Sequence, residues 1–71
     1  MNREALYRFG NHLTALREER KLTVSQLAAA AGLDEEEVLR IEAGAEDCSI
    51  TTMMALAKAL GLSAGELLRS F

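Results

Sequence analysis

The sequence predicts one all-α domain of five helices, and three observations carry that expectation. Among 71 residues there is no proline and only three aromatics (Tyr7, Phe9 and Phe71), with alanine and leucine abundant, a balance that favours helix over sheet. Apolar residues recur at three- and four-residue spacing in successive segments. Those segments open on capping residues or close on glycines. A chain this short forms a single domain, 1–71, with a small core.

The first helix is expected over about 3–21, with Leu6, Phe9, Leu13 and Leu16 on one face. Gly10 interrupts it at a cost of about 1 kcal/mol against alanine, and so marks a candidate close packing contact. Thr23 and Gln26 form a Thr-x-x-Gln capping box for the second helix, whose inner face is Leu27 and Ala31 and which Gly32 ends. Asp34 opens the third, with Glu37 as its reciprocal capping partner, Val38 and Ile41 inward and Gly44 at the close. Ser49 caps the fourth, with Ile50, Met53, Met54, Leu56, Ala57 and Leu60 as its apolar set and Gly61 beyond. Ser63 and Glu66 make another capping box and open a short last helix containing Leu67 and Leu68.

The net charge of −3 hides an uneven distribution. Residues 1–33 carry Arg3, Arg8, Arg17, Arg20 and Lys21 against Glu4, Glu18 and Glu19, a balance of +2. Residues 34–47 carry Asp34, Glu35, Glu36, Glu37, Glu42, Glu46 and Asp47 against Arg40 alone, a balance of −6. Residues 48–71 hold Lys58 and Arg69 against Glu66, a balance of +1. One cysteine excludes a disulfide framework, and one histidine leaves no recognisable zinc site. No cofactor or metal is therefore expected, and the setting expected is reducing and cytoplasmic. Apolar runs such as 27–31 are too short to span a bilayer, and no basic-then-apolar leader opens the chain.

The join between the second and third helices is the most specific signal. Counted from Val24 as first position, Ala28 is fifth and Gly32 ninth, with Leu27, Ala31, Leu33, Val38 and Ile41 at the fourth, eighth, tenth, fifteenth and eighteenth. Two helices crossing at about 90–120° through a short turn need a small residue where they nearly touch. They also need a corner residue that tolerates positive φ. With Phe9-Gly10, Leu16-Arg17, Gln26-Leu27-Ala28, Ala31-Gly32-Leu33, Arg40-Ile41-Glu42 and Leu56-Ala57-Lys58-Ala59-Leu60-Gly61, the chain resembles the lambda-repressor-like (Cro/CI, XRE) helix-turn-helix family over nearly its whole length.

That resemblance implies a compact five-helix orthogonal bundle whose second and third helices form the helix-turn-helix, and a transcriptional regulator, a homodimer on paired half-sites of duplex DNA, with a recognition helix at about 34–42 in the major groove. It places Val24, Ser25, Asp34, Glu35, Glu36 and Arg40 at the DNA-facing positions, and implies a partly buried ion pair between Arg17 and Glu42. The chain departs from the family pattern at this face. Val24 stands where a phosphate-donating glutamine is usual, glutamates open the recognition helix, and Ala45-Glu46-Asp47-Cys48 replaces a basic loop ending in proline. Duplex DNA carries a charge every ~1.7 Å of axis, so an acidic reading face weakens ordinary binding. Acids in a first turn favour the helix dipole by about 0.3–1 kcal/mol each, which accounts for roughly half the cluster. The alternative reading is therefore a protein-interaction module on the same fold that docks a basic partner.

The last helix offers Leu67, Leu68 and Phe71 as an apolar strip for a two-fold contact; in the other reading Leu67 closes the core and Phe71 frays. Cys48 reads as a small buried hydrophobe, and His12 as a surface or boundary residue. No Ser, His and Asp spacing points to a triad, and no enzymatic activity is expected.

Overall fold

In the computed structural model, which describes residues 2–69, the chain forms five helices and, among those residues, no strand. Helix α1 (Arg3–Glu19) starts where the Asn2 side chain accepts the Ala5 N–H at 2.7 Å. It stops two residues short of the expected end because Lys21 adopts φ +58°. That left-handed step, usually given to glycine, lets the Leu22 N–H reach the Arg17 carbonyl at 3.1 Å and closes the helix.

Helix α2 (Val24–Ala31) carries the expected box: Gln26 N–H donates to Thr23 Oγ1 at 3.0 Å and Thr23 N–H to Gln26 Oε1 at 2.9 Å. Gly32, at φ +70°, turns the chain into helix α3 (Glu35–Glu42). Here one expectation fails. Asp34 takes the N-cap backbone conformation but its side chain makes no capping hydrogen bond, so Asp34 and Glu37 form no reciprocal pair. Four consecutive carboxylates repel one another, and water can satisfy an exposed first turn.

Helix α4 (Ile50–Ala59) is capped by Ser49, whose Oγ accepts the Thr52 N–H at 3.1 Å. Its buried stripe is narrower than expected. Leu56, Ala57 and Leu60 face the core with Met53 at its margin, whereas Ile50 is 76% exposed and Met54 57%. Successive helical residues differ by about 100°, which carries Met54 off the stripe, and Ile50 precedes the stripe's start at Met53. Helix α5 (Ala64–Leu68) has the expected Ser63–Glu66 box, and the Ser63 backbone N–H, then its hydroxyl, hold the Glu66 carboxyl below its ordinary range. Leu67 is fully buried and Leu68 exposed; Phe71, the remaining member of the expected strip, lies outside the described residues.

The core is Phe9, Leu13, Leu27, Ala28, Val38, Ile41, Leu56, Ala57, Leu60 and Leu67. Helix α3 packs on α1 and α2, α2 also on α4, and α4 on α5. At 1.5 Å per residue the 17 residues of α1 span about 25 Å. The whole domain measures only 27 × 24 × 22 Å, so the other helices cross within that length rather than extend it. Arg20 ties two helix ends together by donating from Nε to the Leu60 carbonyl at 2.8 Å.

Candidate nucleic-acid interface

Helix α3 is held as a rod against the scaffold by three contacts. Val38 and Ile41 insert into the core. Gly10 lets α1 approach the backbone at the end of α3: a Cβ there would lie 2.5 Å from the Glu42 carbonyl oxygen and 2.6 Å from that of Ile41. Arg17 then grips Glu42 with both arms of its guanidinium, Nε to Oε2 at 2.7 Å and Nη2 to Oε1 at 3.1 Å, while Nη1 donates to the Leu22 carbonyl at 2.8 Å. The two side chains are only 13% and 9% exposed, and the hydrogen bonds to Glu42 push the Arg17 pKa above its ordinary value. Such a fork fixes orientation as well as position. Beyond it, Gly44 at φ +73° brings the chain against Tyr7 of α1, where a Cβ would sit 3.0 Å from the Tyr7 Cα.

Burying Val38 and Ile41 turns Glu35, Glu36, Leu39 and Arg40 outward, all exposed. Asp34, Glu35, Glu36 and Arg40 line one shallow depression. Ser25 is exposed beside the start of α2, its hydroxyl able to donate to a phosphate. Val24 is half-buried and packs against the core, so at this position the chain has a packing residue in place of a polar one.

The electrostatics of the face turn on Arg40, the lone cation of residues 34–47. Its Nε donates to Glu46 Oε1 at 2.8 Å and its Nη1 lies 3.8 Å from Glu36 Oε2. The bond to Glu46, with the nearby charges of Glu46, Glu36 and Glu37, raises its pKa. The turn at Gly44 folds the acidic segment back on the helix, so its charges converge rather than spread. Cys48, half-buried against the core, feels the same field: desolvation first, then Asp47, Glu37 and Glu46, push its thiol up to about 11. A thiol so shifted is neutral and unreactive at physiological pH. His12 is half-buried, with an Nε2 that finds no hydrogen-bond partner.

Two features of this face escape a reading by motif. The Arg40–Glu46 contact spans six residues across a left-handed turn and has no periodic signature. The exposure of Leu39 is legible in helical phase: with Val38 and Ile41 inside, 35, 36 and 39 point outward together. Among the described residues no helix is long and apolar enough to cross a membrane, and no group of three or more His, Cys, Asp or Glu is placed to hold a metal ion.

A family model described as "Helix-turn-helix domain" matches residues 8–71. The HTH-type transcriptional repressor RghR of Bacillus subtilis (strain 168) is 58% identical over 36 residues, 51% of this chain; the match spans only 27% of that repressor. The restriction-modification controller protein C.AhdI from Aeromonas hydrophila superposes with a TM-score of 0.89 at 34% identity, over 92% of this chain and 98% of that one. The clp gene regulator ClgR from C. glutamicum shares the fold at a TM-score of 0.83 and 23% identity, over 90% of this chain and 83% of that one.

Proposed function

Because the chain belongs to the helix-turn-helix domain family, in its lambda-repressor-like (XRE) branch, we propose that it is a cytoplasmic transcriptional regulator that presents α3 to the DNA major groove and binds it weakly for its fold. Its relatives by sequence are regulators, and it is a regulator rather than an enzyme. The observation that carries the proposal is the seating of α3: a helix clamped at its far end by Arg17–Glu42, with its first turn and one open face free of the core. That rigid presentation is what base reading in the major groove requires.

Weakness follows from charge. Affinity for duplex DNA comes largely from cations that displace counterions at phosphates, and here the one cation on the face is already occupied by Glu46 and Glu36. Ser25, Asp34, Glu35, Glu36 and Arg40 form the contact surface, and Val24, half-buried against the core, adds no polar group to it. Homodimerisation supplies the second half-site. Helices α4 and α5 pack together and expose Ile50, Met54 and Leu68, which a self-complementary two-fold contact would cover.

The excess of carboxylates around Arg40 favours a second reading, a module that docks a basic protein. Replacing Glu35, Glu36 and Glu37 together with glutamine separates the two. Under the regulator reading, duplex affinity rises by more than tenfold in a mobility-shift titration. A variant that stays folded and gains no duplex affinity, but loses a basic protein partner, establishes the second reading and removes the first.

A further inference from the structure

We propose that α3 reads the pyrimidine edge of the major groove: Glu35 and Glu36 accept the amino protons of cytosine N4, and Leu39 covers a neighbouring pyrimidine 5-methyl group. This rests on the regulator reading above and names the base class that the reading leaves open.

Carboxylates carry acceptors only. In the major groove, guanine presents acceptors at N7 and O6 and thymine an acceptor at O4, so both oppose a glutamate. Adenine has a donor at N6 beside an acceptor at N7, which meets the carboxylate lone pairs. Cytosine N4 is the donor without an adjacent acceptor on the same base, and it is the base a carboxylate selects.

Arg40 is the residue that would otherwise claim guanine on this surface. Glu46 and Glu36 compete for it: its Nε donates to Glu46 at 2.8 Å and its Nη1 lies 3.8 Å from Glu36.

Leu39 is the odd member of the face. It is 50% exposed on a helix whose core positions are filled by Val38 and Ile41, which leaves it the one large apolar side chain among the outward residues of α3. It lies four residues after Glu35 and three after Glu36, one turn along the same side. A leucine makes no hydrogen bond, and the apolar group that unmodified B-DNA displays in the major groove is the thymine methyl. Four residues of helix rise about 6 Å, within two base-pair steps of 3.4 Å, so one strand carrying cytosine beside thymine satisfies both contacts. A cytosine methylated at C5 shows the same methyl and is the other source of that chemistry.

The test begins with duplexes selected from a random library at low salt, followed by titration of the enriched sequence. The wild-type chain is expected to enrich cytosine next to thymine in each half-site. Replacing the contacted thymine with uracil removes one methyl and should weaken binding about fourfold, the worth of one buried methylene-sized group. Leu39→Ala should show the same loss on the thymine duplex and no further loss on the uracil duplex. Glu35→Gln or Glu36→Gln, which adds a donor, should move preference from cytosine toward adenine. Methylating the neighbouring cytosine in the uracil duplex restores affinity if 5-methylcytosine is the natural source, and leaves it low if thymine is.

Leu39 is half in water, so its alanine variant is expected to fold, and circular dichroism checks that. An enriched sequence in which no thymine-to-uracil change matters, or in which Leu39→Ala loses affinity equally on both duplexes, overturns this inference while the regulator reading stands. No enrichment by either the wild-type chain or its triple-glutamine variant removes both.

Discussion

Replacing Gly10 with alanine separates helix propensity from the seating of α3. In a free helix the change favours the folded state by about 1 kcal/mol. Here the added Cβ would stand 2.5 Å and 2.6 Å from the Glu42 and Ile41 carbonyl oxygens and 2.9 Å from the Glu42 carbonyl carbon. Carbon and oxygen come no closer than about 3.3 Å without repulsion, so α1 and α3 must part by almost 1 Å. All three opposing atoms are backbone, and no side-chain rotation can relieve them. Parting the helices also stretches the Arg17–Glu42 fork, now 2.7 Å and 3.1 Å long. Overpacking of this kind costs about 3 kcal/mol at the upper end of its usual range, which leaves a net loss of about 2 kcal/mol after the propensity gain. For a domain of this size that lowers Tm by about 8–16 °C. Thermal and urea unfolding followed by circular dichroism reads it directly. Gly65→Ala is the internal control: its Cβ meets only Ser63 Oγ at 3.8 Å, an ordinary contact, and the substitution should stabilise slightly. A Gly10→Ala protein as stable as wild type, or more so, would refute the close approach on which the seating of α3 depends.

Three further outcomes are expected. Glu42→Ala leaves the Arg17 guanidinium nearly buried with only the exposed Glu18 carboxylate, 4.0 Å away, as counter-charge and should cost about 3 kcal/mol, more than replacing both partners with Met and Leu; equal losses in urea melts would show that the fork contributes orientation but little energy. Glu46→Gln frees Arg40 to reach a phosphate, so duplex affinity should rise several-fold and the salt slope steepen by about one, whereas an unchanged slope would mean that Arg40 never faces the backbone. Cys48, its thiol pushed up to about 11, should react with maleimide at pH 8 on the order of a hundred times more slowly in the folded than in the unfolded chain. Because burial favours its neutral form, the stability it contributes is intact below its ordinary pKa of 9.0 and lost as pH climbs toward 11. Melting temperatures flat across pH 9–11 would argue against that burial.

Most of the fold was legible because local signals and tertiary needs agree. Thr23–Gln26 and Ser63–Glu66 announce their helices by the bonds that start them. Gly10, costly inside a helix, stands where two backbones meet. The misreadings have physical sources as well. Lys21 takes a left-handed conformation that its residue type does not advertise. Ile50 and Met54 look like core by composition, yet helical phase and position at the end of α4 leave them in water. Asp34 has the sequence of a cap, but three neighbouring carboxylates and open solvent remove its advantage. At the reading face the excess of acid was plain from charge alone. The partner that silences Arg40 was not, since Glu46 reaches it only through the fold of a loop.

The helix-turn-helix frame is intact, while the one cation of its acidic face is paired with Glu46 and Glu36 and so offers little to phosphates. A titration of duplex DNA against the wild-type chain across a range of salt concentrations tests this most directly. Micromolar or weaker binding is expected near physiological salt, with a shallow slope of log affinity against log salt, about two phosphates' worth or less. Sub-micromolar binding that falls away steeply with salt, at a slope worth six or more phosphates, would contradict it.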